Sequence, residues 1–174
     1  NIGIMYNYGE GEEQDYKEAM KWYHLAAEQK NSYAQFNLGY MYHYGEGVEQ
    51  DYEEAMRLYQ LAAKQKNHFA QYNIGYMYYE AEGVEQDYKE AMKWFELAAK
   101  QGSVEAQNYL GIMYQGAEGV EQDYKEAMKW YQLAAEQGSD NAKFNMGLMY
   151  YEAEGVEQDY KEAMKWFELA AKQG

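Results

Sequence analysis

Cysteine is absent from the 174 residues, so no disulfide framework, thiolate metal site or cysteine nucleophile can form, and the redox compartment cannot be read. Proline is absent too, which removes a common helix breaker and suits a helical chain. Basic residues are scarce. The 15 Lys and Arg stand against 30 Asp and Glu, a net charge of −15. Nucleic acid and anionic membrane surfaces need clustered Lys and Arg, so neither is an expected partner; a protein or peptide with a basic face would be steered toward this chain. No apolar run is long enough to span a bilayer, and no signal peptide is visible. Signs of catalysis are missing as well. His24, His43 and His68 occupy three different repeat positions with no pair at i, i+4 spacing, which reads as structural or exposed histidine. The Glu-x-Gly-Val-Glu-Gln-Asp loops lack the alternating ligands of a calcium loop, and no phosphate-cradling glycine motif or nucleophile elbow occurs. The residues point to a non-enzyme with no cofactor and no metal site.

What is present is a repeat. Gly3, Gly39, Gly75, Gly111 and Gly147 are each 36 residues apart, as are Asp15, Asp51, Asp87, Asp123 and Asp159. The segment Met77 to Gly102 recurs letter for letter as Met149 to Gly174, the mark of recent duplication or of engineering. Each unit reads as two helices. Helix B starts at Asp51-Tyr52-Glu53-Glu54 and its equivalents, where the Asp accepts from first-turn N–H groups and the Glu three residues on reaches back. Tyr52, Ala55, Met56, Tyr59, Ala62 and Ala63 then follow the helical period. Helix A runs from about Ser32 to Tyr44, with Ala34, Leu38, Gly39 and Tyr42 on one face. A glycine inside a helix costs about 1 kcal/mol, so its recurrence implies close approach of a neighbour, for which Ala62 and its equivalents are the expected partners. Gly102 and Gly138 stop helix B ahead of the N-caps Ser103 and Ser139; Lys30-Asn31 and Lys66-Asn67 keep the cap and lose the glycine. One such hairpin cannot bury its own apolar face, so the hairpins must stack.

The pattern Ala34-x-x-x-Leu38-Gly39-x-x-Tyr42-x-x-Gly45-x-Gly47-Val48, followed by Asp51-Tyr52-x-x-Ala55-Met56-x-x-Tyr59-x-x-Ala62-Ala63, resembles the Sel-1-like repeat, a relative of the tetratricopeptide repeat. The resemblance covers the whole chain. It implies an all-α, right-handed α/α solenoid in one array, with a partial unit at 1–30 and full units at 31–66, 67–102, 103–138 and 139–174. It also implies adaptor or scaffold activity through the solenoid's surface. Two departures touch loop conformation and packing: the first loop glycine is Ala81, Ala117 and Ala153 in the last three units, and the helix-B Trp is Leu58 in the second.

Letters that stay constant between copies serve stacking; letters that vary are free of that demand. On helix A the varying set is Tyr33, Phe36, Tyr40 and His43, with counterparts Phe69, Tyr72, Tyr76 and Tyr79; Glu105, Asn108, Ile112 and Gln115; and Asn141, Phe144, Leu148 and Tyr151. Their spacing puts them on one helix face, which by resemblance lines the concave side. These aromatics are expected either to bind a peptide or protein partner or to pack on the adjacent helix A; Tyr40 and Tyr76 fit the first role. Beside them Asn1, Asn37, Asn73 and Asn145 form a ladder broken by Tyr109, spaced either to hold the backbone of an extended peptide or to bond neighbouring helices. Glu46, Glu49 and Asp51 recur at every A–B turn and read as a solvated acidic edge. Two functional classes stay open: an interaction module, and a structural or engineered array without a natural ligand. The ends, at Asn1 within a helix A and Gly174 after a helix B, suggest excision from a longer array or association of copies end to end.

Overall fold

The computed structural model describes residues 2–9 and 13–172; Asn1 and Gly174 lie outside them. The described residues form ten α-helices and no strand: α1 (Ile2–Tyr8), α2 (Tyr16–Glu28), α3 (Ser32–Tyr44), α4 (Tyr52–Ala63), α5 (His68–Glu80), α6 (Tyr88–Ala99), α7 (Val104–Gly116), α8 (Tyr124–Glu136), α9 (Asp140–Glu152) and α10 (Tyr160–Ala171). They fall into two compact units, 1–86 and 87–174. In the first, each of α1 to α4 packs on the helix that follows it; in the second, each of α6 to α9 does the same.

The helix starts are set by side-chain oxygens. Asp51 sits extended at the N-cap of α4 and accepts from the Glu54 N–H at 3.0 Å; Asp123 accepts from Lys125 and Glu126 at 2.9 and 3.0 Å. The reciprocal half of the capping box is not made. The Asp51 N–H already donates to the Tyr42 carbonyl at 2.9 Å, which pins helix A to helix B. Glu54 turns forward instead and grips Arg57 with two hydrogen bonds of 2.7 and 2.6 Å. Glu90–Lys93 and Glu162–Lys165 repeat this pairing. Asp123→Ala removes the one oxygen that accepts from both first-turn N–H groups of α8, so its melting temperature should fall by the equivalent of about 1 kcal/mol, while Asp123→Asn should keep most of the stability. Thermal unfolding followed by circular dichroism measures both.

Helix A ends in a left-handed residue, Gly45 in α3 and Ala81, Ala117 and Ala153 in α5, α7 and α9, with φ between 59° and 71°. The alanines hold the glycine's conformation, so the loop path survives the substitution. Gln50 closes the loop by donating to the His43 carbonyl at 2.7 Å, and Gln86, Gln122 and Gln158 do the same for residues 79, 115 and 151. These bonds satisfy carbonyls that a helix end leaves open.

The core of the first unit gathers Ala19, Tyr23, Ala34, Leu38, Met41 and Leu58; that of the second gathers Ala127, Tyr131, Ala134, Ala142, Met146 and Met149. The interior glycine of helix A does not face Ala62. A Cβ on Gly39 would lie 2.7 Å from Tyr59 Cδ1 and 3.2 Å from the Ala55 carbonyl oxygen, and one on Gly147 would meet Phe167. The helices are rotated so that an aromatic ring, rather than a small residue, fills the notch. Leu58, in place of Trp, is buried in the first core and borders a cleft of about 190 Å³ with His24, Arg57 and Leu61.

Candidate functional site

In the first unit the varying residues of α3 and α5 form a band of touching rings. Tyr33 meets Phe69 at 6.5 Å, Phe69 meets Phe36 at 5.5 Å, Phe36 meets Tyr40 at 6.2 Å and Tyr40 meets Tyr44 at 4.4 Å. Tyr33, Tyr40, Tyr44 and Phe69 are exposed, whereas Phe36 is half-buried and stacks on the core ring of Tyr59 at 5.9 Å. Tyr72 and Tyr76 sit 6.1 Å apart on α5 and, with Tyr79, are half-buried. Burial raises the hydroxyl pKa of Tyr40 and of Tyr76, helped by Glu46 for the first and by Glu82 and Glu80 for the second. Carboxylates therefore border the band.

In the second unit Tyr109 stacks on Phe95 at 5.0 Å, Ile112 packs against the core, and Phe144 is exposed over Phe167. Asn108, Tyr109, Ile112, Asn141, Phe144 and Asn145 line a cleft of about 260 Å³. Leu148 is half-buried on α9.

The asparagine ladder is divided in its use. Asn73 is buried and donates to the Phe69 carbonyl of its own helix at 2.8 Å. Asn145 donates to the Asn108 side-chain oxygen at 3.2 Å, linking α9 to α7. Asn37 lines a cavity with Asn7 and Tyr40. Asn1 lies outside the described residues.

One arrangement was not visible in the sequence. The loop glutamates do not all face solvent. Glu82 accepts from His43 Nε2 at 2.6 Å, and His43 Nδ1 lies 3.2 Å from the Tyr59 hydroxyl. Glu154 accepts from Gln115 Nε2 at 2.5 Å, and the Tyr131 hydroxyl donates to Gln115 Oε1 at 2.6 Å. Each runs from a buried helix-B tyrosine, through a helix-A side chain, to a half-buried glutamate in the loop of the following hairpin. Burial is the main cause that drives the Tyr59 and Tyr131 hydroxyls far above the usual tyrosine pKa, with Glu82 and Glu154 adding to it. The only sequence sign was that position 43 and its equivalents are always able to hydrogen-bond: Asn, His, Tyr, Gln and Tyr.

Among the described residues no group of three or more His, Asp or Glu converges as a metal site, and no helix is long and apolar enough to cross a membrane. The surface offers rings, amides and carboxylates for holding a partner.

The Sel1 repeat family model matches residues 1–31, 32–67, 68–103, 104–139 and 140–174. A Sel1 repeat protein from Oxalobacter formigenes is 37% identical with a TM-score of 0.92, over 99% of this chain and 71% of that one. A protective antigen of uropathogenic Escherichia coli with an SLR fold is 40% identical with a TM-score of 0.90, over 99% of this chain and 37% of that one. An immunity protein of Pseudomonas aeruginosa shares the fold at 24% identity and a TM-score of 0.68, over 99% of this chain and 63% of that one. No curated protein matches. Proteins built on this repeat generally mediate protein–protein interaction as scaffolds rather than enzymes. With the family model matched from end to end, and two similar structures at 37% and 40% identity, this chain belongs to the Sel1 repeat family of α/α solenoids.

Proposed function

We propose that this chain is a protein-interaction module that takes a basic peptide or protein segment on the varying faces of its A helices. One observation carries this reading: the ring band from Tyr33 through Phe69 and Phe36 to Tyr40, several of whose rings stand in solvent. Large exposed aromatics in contact with one another are what interface hot spots are built from, since they bury much area for little lost rotamer entropy. The net charge of −15 selects a basic partner and predicts association that slows with added salt.

The test uses a displayed random-peptide library selected on the wild-type chain and on a variant carrying Tyr33→Glu, Tyr40→Glu, Phe69→Glu and Phe144→Glu. All four positions are exposed, so the variant should keep its helical circular dichroism. Peptides enriched on the wild type should be rich in Lys, Arg and apolar residues, and should bind the variant at least tenfold more weakly. Equal binding to both would remove this face from the account.

A further inference from the structure

The Tyr–His–Glu and Tyr–Gln–Glu chains have a broken counterpart in the first hairpin. Asn7 stands where the second hairpin has His43 and the fourth has Gln115. The outer members are kept: Tyr23 is 1% exposed like Tyr59, and Glu46 stands where Glu82 and Glu154 stand. Burial pushes the Tyr23 hydroxyl up to about 12 and raises that of Tyr40, and the negative charge of Glu46 adds to both shifts. The middle member is too short. Asn lacks the reach of the imidazole and is one methylene shorter than Gln.

The shortfall leaves two marks. The Asn7 side-chain oxygen is buried without a hydrogen-bond partner, in a residue only 8% exposed. A cavity of about 150 Å³ opens beside it, lined by Asn7, Tyr8, Tyr23, Phe36, Asn37, Tyr40 and Met41. A buried acceptor without a donor destabilises the fold, so a donor entering the cavity offsets that loss. Four aromatic residues, a methionine and two amides line it, and the negative charge of Glu46 acts on two of those tyrosines. That is the chemistry of a cation site.

We propose that this cavity receives the guanidinium of an arginine side chain from the partner, stacked on the Tyr40 and Phe36 rings and donating to Asn7 and toward Glu46. This rests on the reading of the chain as a binder of basic segments, and it names the residue type read in the first unit. Arginine suits the cavity better than lysine. Its planar group stacks on aromatic faces, sheds water more readily and carries five fixed donors, whereas an ammonium is compact and strongly hydrated.

The probe is acetyl-Gly-Arg-Gly-amide, titrated into the full chain and followed by amide resonances in two-dimensional nuclear magnetic resonance. Counterparts with lysine and with uncharged citrulline serve as comparisons. The arginine probe should move the Asn7 and Asn37 side-chain resonances and bind at least fivefold tighter than the lysine probe and tenfold tighter than the citrulline one. Asn7→His installs the second hairpin's residue, fills the cavity and should abolish the shifts in a chain that melts no lower than the wild type. Glu46→Gln, which leaves the cavity open, should weaken the arginine probe at least fivefold. Equal binding of the three probes, or undiminished binding to Asn7→His, overturns the proposal. Asn7→His leaves the exposed Tyr33 and Phe69 untouched, so its binding of library peptides reports on the ring band alone. Library peptides that bind the wild type while the arginine probe does not would sink this site alone; loss of both would sink the two together.

Discussion

Gly39→Ala is expected to destabilise the chain by about 2 kcal/mol, although alanine is the better helix former. The helical preference alone would gain about 1 kcal/mol. Against it stands the added methyl, which would lie 2.7 and 2.8 Å from Tyr59 Cδ1 and Cε1 and 3.2 Å from the Ala55 carbonyl oxygen. Tyr59 is wholly buried, its ring is covered by Phe36 and its hydroxyl meets His43, so the ring has nowhere to go. Overpacking of this kind costs about 3 kcal/mol at the upper end of its usual range, which leaves the net loss. In a domain of this size the melting temperature should drop by roughly 4–8 °C. The double variant Gly39→Ala, Tyr59→Leu should be more stable than the sum of the single effects by at least about 1 kcal/mol, because the smaller side chain removes the collision. A Gly39→Ala chain that melts higher than the wild type would show that the ring does not require the glycine.

The triple variant Ala81→Gly, Ala117→Gly, Ala153→Gly should move stability the other way by about 2 kcal/mol. All three alanines hold φ between 59° and 62°, a left-handed conformation that places Cβ against the following carbonyl and costs about 1–2 kcal/mol per residue. Part of the relief is offset, since glycine also loosens the unfolded chain by about 0.4–1 kcal/mol. The three sites sit on different hairpins, so the gains should add. Gly45 supplies the reverse experiment. Its φ is 71° and an added Cβ would meet nothing closer than 3.5 Å, so Gly45→Ala tests the backbone term free of collision and should cost about 1 kcal/mol. Urea unfolding with an unchanged m-value is the measurement; a triple variant no more stable than the wild type would mean that the loop relaxes around alanine.

These two effects mark where reading the letters stopped short of the structure. Caps and helical periodicity are local properties of the chain, so they predict helix A over Ser32 to Tyr44, the span that α3 occupies. The partner of Gly39 was not local. Whether Tyr59 or Ala62 faces the notch depends on the rotation of one helix against the other. Glu54 could not reach back because its target N–H was already held by Tyr42, nine residues before Asp51 in sequence and outside any helix-start pattern. The link from His43 to Glu82 spans 39 positions, and no short window contains it. For the candidate site, repeat-to-repeat variation picked out the residues of the ring band, but not which would stand in solvent. Phe36 is drawn down onto Tyr59, while Tyr33 and Phe69 are left outside.

The polar closures of each hairpin bear on how this gene can change length. Asp123 caps α8, Gln122 closes the loop before it and Ser139 caps α9, so a block of 36 residues brings its own hydrogen bonds to both ends of both helices. Slippage between tandem copies can then add or delete whole blocks without orphaning a cap. A slip by any other number of residues would separate each cap from its helix. Exceptions are His43 and Gln115, whose side chains must fit the loop of the hairpin that follows, and Asn145, which bonds to Asn108 of the hairpin before it. Block order is thus constrained where one hairpin's side chain reaches the next, as His43 and Gln115 do to the following loop and Asn145 does to Asn108, and Asn7 shows what a poor fit leaves open.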